Sequence, residues 1–198
     1  MSEKIGIHVL CSNQKDNRPD LAGRSRCERA IDLLNEMMER GQKLRDIHFI
    51  LTAGLPDKKG HSLSLIYANE LEYIWAPLET CMPNISILQG EQPTARDSAE
   101  ELKAAFQVAR DLKFSRLYII SDHWHLLRLR LMISLWKKRG LLPRCQINYS
   151  TSRSIEPFWR RIPYEIAAML YTLWDSEWRK CPAERMRKQR EDNFSNLS

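Results

Sequence analysis

The sequence predicts an α/β chain, a three-layer sandwich with a mostly parallel five-stranded sheet and helices on both faces. Five short apolar runs, rich in β-branched residues, recur along the chain, and each is closed by Gly, Ser, Asn or Asp. Amphipathic stretches of helical period separate them. That alternation builds right-handed βαβ units, whose crossover helices cover both sides of a parallel sheet.

The strands are expected at residues 5–11 ("IGIHVLC"), 46–54 ("DIHFILTAG"), 84–90 ("NISILQG"), 116–122 ("RLYIISD") and 144–150 ("RCQINYS"). Helices are expected near 24–40, 62–76, 94–113 and 124–139, with Gly41 and Gly140 as C-terminal stops because glycine enters the left-handed region without a Cβ clash. From Phe158 the stretch "FWRRIPYEIAAMLYTLWDSEWRK" reads as one more helix, rich in tryptophan. Its aromatic residues Phe158, Trp159, Tyr164, Tyr171, Trp174 and Trp178 recur at roughly helical spacing, the pattern of a helix packed over the sheet edge or of a homodimer face. The division that follows is an α/β domain over 1–155, a helical extension packed on it over 156–182, and a charged tail over 183–198.

Length and composition suit this reading. The chain has 198 residues, 43% hydrophobic and 28% charged, enough to bury one substantial core. No apolar run reaches the roughly 18 residues that span a bilayer, and "MSEKIGIHVLC" lacks the regions of a signal peptide, so a cytoplasmic location is expected. Cys11, Cys27, Cys81, Cys145 and Cys181 are odd in number and show no C-x-x-C spacing, against a disulfide framework or a zinc ribbon. Cys11 at a strand end is the one conceivable thiol nucleophile. The formal charge of +6 fits an anionic ligand, nucleic acid or an acidic surface. Part of that excess is concentrated in Arg179, Lys180, Arg185, Arg187, Lys188 and Arg190.

In an open parallel sheet, ligands bind outside the carboxyl ends of the strands. The fourth of those ends, "IISDHWHLLRLR", carries the densest polar cluster. Ser121 or Asp122 can cap the following helix. His125 and Arg128 are three residues apart and share a helix face, so an anion there would meet an imidazole, a guanidinium and backbone N–H groups. The helix dipole favours neutral imidazole in this first turn. H-x-H after an aspartate also resembles a metal cluster, but His8, His48 and His61 are isolated, and no metal site is assigned. At the third strand end, Thr94 and Asp97 have capping-box spacing. Arg96 in that first turn is unfavourable beside the helix dipole unless an anion or carboxylate sits nearby. The loop after the first strand, with Ser12 and Asn13, lacks G-x-G-x-x-G, and the chain contains no P-loop lysine motif or G-x-S-x-G elbow.

Four blocks in order resemble the YdcF/SanA-like family, a domain of unknown function, over roughly residues 5–140. "RCERA" aligns the family's helix arginine with Arg26, and "TAG" aligns Thr52 and Gly54 with its S-G-G. "QPTARDSA" falls on S-x-x-T-x-E-N-A with Ala95, Asp97 and Ser98 replacing threonine, glutamate and asparagine. "ISDHWHLLR" matches V-T-S-x-x-H-x-x-R and carries its histidine and arginine onto His125 and Arg128. The resemblance implies a Rossmann-like domain with a polar pocket at the strand ends and a nucleotide-like or S-adenosylmethionine-like ligand.

The functional expectation is binding of a small anionic ligand, nucleotide-like or phosphorylated, with hydrolysis or group transfer on it. His125 would be general acid or base, with Asp97 or Asp122 orienting it, and Arg128 and Arg26 would neutralise charge. Ser121, Arg96, Thr52, Gly54, Ser12 and Asn13 would complete the ligand shell. The residues name no cofactor. The alternative is nucleic-acid or protein-partner binding through the basic C-terminal segment, where "WRKCPAERMRKQR" mixes tryptophan with cations.

Overall fold

A computed structural model of the chain describes residues 3–11, 14–15, 18–52, 62–76, 83–87, 97–153 and 158–175. Five strands, β1 (Ile5–Val9), β4 (Ile47–Leu51), β5 (Asn84–Ile87), β6 (Arg116–Asp122) and β7 (Gln146–Ser152), form one sheet in the order β5-β4-β1-β6-β7, every neighbouring pair parallel. Two very short strands, β2 (Gln14–Lys15) and β3 (Arg18–Pro19), pair antiparallel in the connection after β1. Five α-helices, α1 (Leu21–Glu39), α2 (Leu63–Trp75), α3 (Ser98–Asp111), α4 (His123–Lys138) and α5 (Phe158–Trp174), and one short 3-10 helix (Leu44–Asp46) complete the described chain. The expected α/β sandwich is therefore the fold.

Alternation along the strands divides the core in two. Ile5, Ile7 and Val9 of β1 and Phe49 and Leu51 of β4 face α1 and α2 in one cluster, with Leu34, Tyr67 and Leu71. Ile50 of β4 and Leu117 and Ile119 of β6 face α3 and α4 in the other, with Phe106, Leu129 and Trp136. Phe106 and Trp136 meet edge to face at 6.0 Å, the arrangement that aromatic quadrupoles prefer. Strand order and helix placement give a switch point: β1 and β6 are neighbours, yet α1 leaves on one face and α4 on the other. The carboxyl edge at such a point is where a doubly wound sheet holds its ligand.

Helix ends follow their capping residues more closely than their periodicity. Asp20 accepts from the Gly23 amide at 2.7 Å, so α1 starts at Leu21 rather than at 24. Asp97 accepts from the Ala99 and Glu100 amides at 2.9 Å each, so α3 starts at Ser98 rather than at 94. Gly41 (φ 84°) and Gly140 (φ 70°) end α1 and α4 as expected. Each lies in a Schellman motif, with Gln42 N donating to Met37 O at 3.0 Å and Leu141 N to Trp136 O at 3.1 Å. Lys113, at φ 55°, ends α3 in the same way without being glycine.

α5 does not bury Tyr164 and Trp174, two of the aromatic residues that could have packed over the sheet edge. Tyr164 and Trp174 face solvent, together with Ile166, Leu170 and Leu173, while Glu165, Ala168, Thr172 and Asp175 are buried. The helix packs against α4 through a partly polar face, because its buried polar groups find partners there and within the helix. Thr172 Oγ1 donates to Ala168 O at 2.8 Å, and Tyr171 donates to Asp175 at 3.1 Å. No helix among the described residues is long and apolar enough to cross a membrane. Residues 176–198, including the basic tail, lie outside the described residues.

Gly23 is required by close approach: a Cβ there would overlap the Tyr67 hydroxyl and stand 2.7 Å from its ring carbon. Tyr67 is fully buried and has little room to yield. Gly23→Ala should therefore destabilise the fold by about 1–3 kcal/mol in urea denaturation, despite alanine's better helix propensity.

Candidate functional site

The polar groups at the carboxyl edge of β1, β4 and β6 form a connected, largely buried set. Leu10 continues β1 beside β6, its amide donating to Ile120 O at 3.2 Å, so the ends of the two strands are level. From α1, on one face, Arg26 reaches across the switch point. Its Nη2 donates to Asp122 Oδ2 at 2.7 Å and its Nη1 to Leu10 O at 2.9 Å. Both side chains are buried. Asp122 is also the N-cap of α4 on the other face, its Oδ1 accepting from the His125 amide at 3.0 Å. One carboxylate thus neutralises the guanidinium and starts the helix that carries the histidine.

The imidazole of His125 lies between two hydroxyls. Ser121 Oγ, from the end of β6, is 2.9 Å from Nδ1, and Ser98 Oγ, from the first residue of α3, is 2.9 Å from Nε2. A hydroxyl both donates and accepts, so this arrangement serves either tautomer of the ring. The sequence expectation had Asp97 or Asp122 orienting the imidazole. Instead Asp122 holds the backbone of His125, and Asp97 Oδ1 is taken by the two amides of the α3 cap. Charge on Asp97 is best used there, at the positive end of the helix dipole.

A second chain of polar contacts lies beside the first. Thr52 Oγ1 donates to Glu101 O at 3.2 Å and has one hydrogen, so it accepts from His8 Nε2 at 3.1 Å. Glu101 Oε2 accepts from the Cys11 amide at 3.1 Å. Thr52, expected in the ligand shell, is buried between His8 of β1 and Glu101 of α3. His8 is fully buried and its Nδ1 has no hydrogen-bond partner among the described residues; burial pushes its pKa down from 6.5 to about 3. Cys27 is buried too, and burial raises its thiol well above the ordinary range. It packs as a small apolar group.

One turn along α4 from His125, Arg128 Nε stands 3.6 Å from Glu165 Oε2 of α5, both side chains buried, and the guanidinium lies 5.9 Å from the Tyr164 ring centre. Arg29 donates to Ser150 Oγ at 2.8 Å and to Glu36 at 2.7 Å, binding α1 to β7. Ser25 adds a bond to Arg153 O at 3.2 Å.

Of the expected site residues, Arg26, Ser121, Asp122, His125 and Asp97 gather around the switch point, and Thr52 is tied into the adjoining buried chain. Arg128 lies one turn further on. Arg96, Gly54, Ser12 and Asn13 lie outside the described residues. Ser98, Glu101 and Glu165 were not anticipated as site residues. Ser98 was visible only as a replacement of asparagine in the third block. The contacts of Glu101 and Glu165 join elements distant in sequence, which no local pattern reports. No cluster of three or more His, Cys, Asp and Glu suited to a metal occurs among the described residues.

These features define a doubly wound parallel α/β protein with a buried imidazole at its switch point. No family model, no curated protein and no solved structure matches the chain.

Arg26→Met leaves the Asp122 carboxylate buried without its cation, and should cost about 3–5 kcal/mol; adding Asp122→Asn should recover part of that loss, as measured by urea denaturation of both variants. For His8, the unfolded chain takes up a proton near pH 6.5 and the folded chain only near pH 3. Its contribution to stability is therefore complete above 6.5 and lost as pH falls towards 3, by up to about 1.4 kcal/mol per pH unit. His8→Leu should flatten the acid side of the stability profile by that slope.

Proposed function

We propose that the chain binds a small anionic molecule, nucleotide-like or phosphorylated, at the carboxyl edge of its sheet. There it hydrolyses or transfers a group on that molecule, with His125 as general acid or base. The observation that carries this reading is the hydroxyl–imidazole–hydroxyl chain at the β1/β6 switch point, where an open parallel sheet holds its ligands. His125 stands on α4 with hydroxyls from β6 and α3 at its two nitrogens, and an imidazole so fixed is placed to give or take a proton.

Both arginines of the site are paired with carboxylates, and the two pairs differ. Arg26–Asp122 is short and doubly anchored. Arg128–Glu165 is longer, at 3.6 Å, and its carboxylate belongs to α5 rather than to the sheet or its capping turns. In this reading a ligand phosphate exchanges with Glu165 at Arg128, which can meet a phosphate as it meets a carboxylate. The resemblance to the YdcF/SanA-like family, through His125 and Arg128, supports the same ligand class. Free thiols at Cys11, Cys27 and Cys145 support a cytoplasmic setting.

Thermal-shift titration with inorganic phosphate, sugar phosphates and nucleotides tests this. A phosphate-bearing ligand should raise the midpoint saturably. Glu165→Gln, which removes the competing carboxylate, should tighten that ligand about tenfold, equivalent to roughly 1.4 kcal/mol. Arg128→Gln/Glu165→Gln, which removes both charges together, should abolish the shift while keeping the fold. No shift with any phosphate-bearing compound, or an unchanged shift in the double variant, would overturn the reading.

A further inference from the structure

We infer that Ser98 is a nucleophile toward a phosphoryl group, with His125 as its base and Ser121 orienting the imidazole; this deepens, and rests on, the ligand site described above. A serine is a weak nucleophile unless a base takes its proton, and the signature is a nucleophile–base hydrogen bond with a third group holding the base. Those two contacts are present at 2.9 Å each, from Ser98 Oγ to His125 Nε2 and from His125 Nδ1 to Ser121 Oγ.

The three residues come from different elements and each is fixed independently. Asp97 caps α3 immediately before Ser98. Parallel pairing with Thr151 of β7 fixes Ser121, and the Asp122 bond to its amide fixes His125. Burial assigns the roles of the two hydroxyls. Ser121 is wholly inaccessible, whereas Ser98, the first residue of α3, is the less enclosed of the two. With Ser98 as the nucleophile, Ser121 accepts from Nδ1–H and the Nε2 lone pair faces the Ser98 O–H.

In the reaction, Ser98 Oγ forms a bond to phosphorus as the bond from phosphorus to the leaving oxygen breaks. The Oγ proton passes to Nε2 and then to the leaving oxygen. Water, giving its proton to Nε2, next displaces Ser98 from phosphorus, and the proton returns to Oγ, releasing phosphate. Ser121 is a positioning residue, since it touches only the imidazole in this scheme.

The test is to treat the intact chain with diisopropyl fluorophosphate and map the adduct by peptide mass spectrometry. Serine–phosphorus bond formation expels fluoride and needs no anion-binding group. The expected result is one adduct at Ser98, lost in Ser98→Ala and formed at least tenfold more slowly in His125→Gln. In Ser121→Ala the pH profile of labelling should shift while Ser98 stays the labelled residue, an effect that a packing role alone would not produce. An adduct at another residue, or none in folded protein that still responds to phosphate-bearing ligands, overturns the nucleophile and leaves the binding site standing. Neither adduct nor ligand response overturns both. Because the mapping is done on the unsubstituted chain, it stands even if a variant fails to fold.

Discussion

The Arg26–Asp122 ion pair is the constraint on which the site depends. β1 and β6 lie side by side and send their helices to opposite faces, so nothing in the backbone ladder ties α1 to the start of α4. A buried guanidinium does so, reaching from α1 to the carboxylate that caps α4 and to the carbonyl that ends β1. Burying two charges is costly unless they are paired and further hydrogen-bonded, and here both conditions hold. The same carboxylate sets the first turn of α4, and therefore the position of His125.

Two buried histidines show how surroundings decide what a side chain can do. His8 has one partner, Thr52, whose only hydrogen is already committed to a carbonyl. Its ring is locked in one tautomer, and burial holds it neutral down to about pH 3. His125 meets a hydroxyl at each nitrogen, and neither hydroxyl dictates where the proton sits. The first ring is held in one tautomer; the second has a hydrogen-bond partner in either.

α5 shows the same economy on a larger scale. Its apolar residues Ile166, Leu170 and Leu173 face outward while Glu165 and Thr172 face the protein. A helix that buries polar groups must supply their partners, and Arg128 is one. The contact links the extension to α4 one turn from His125.

The sequence by itself determined the α/β class, the five strands of the sheet, and the glycine stops at Gly41 and Gly140. Strand alternation and left-handed turns are local, and local physics is written in neighbouring residues. It also determined that the polar cluster at residues 121–128 lies at a carboxyl edge, because strand direction follows from the βαβ alternation. The tertiary structure decided the sheet order, the start of α3 at Ser98, the inward polar face of α5 and the partners of each charged group. Ser98 and His125 are 27 residues apart in the chain, Arg26 and Asp122 are 96 apart, and Arg128 meets a carboxylate on another helix. Such pairs are fixed by how helices pack across the sheet, and periodicity within one segment carries no information about which residue of another segment it will face.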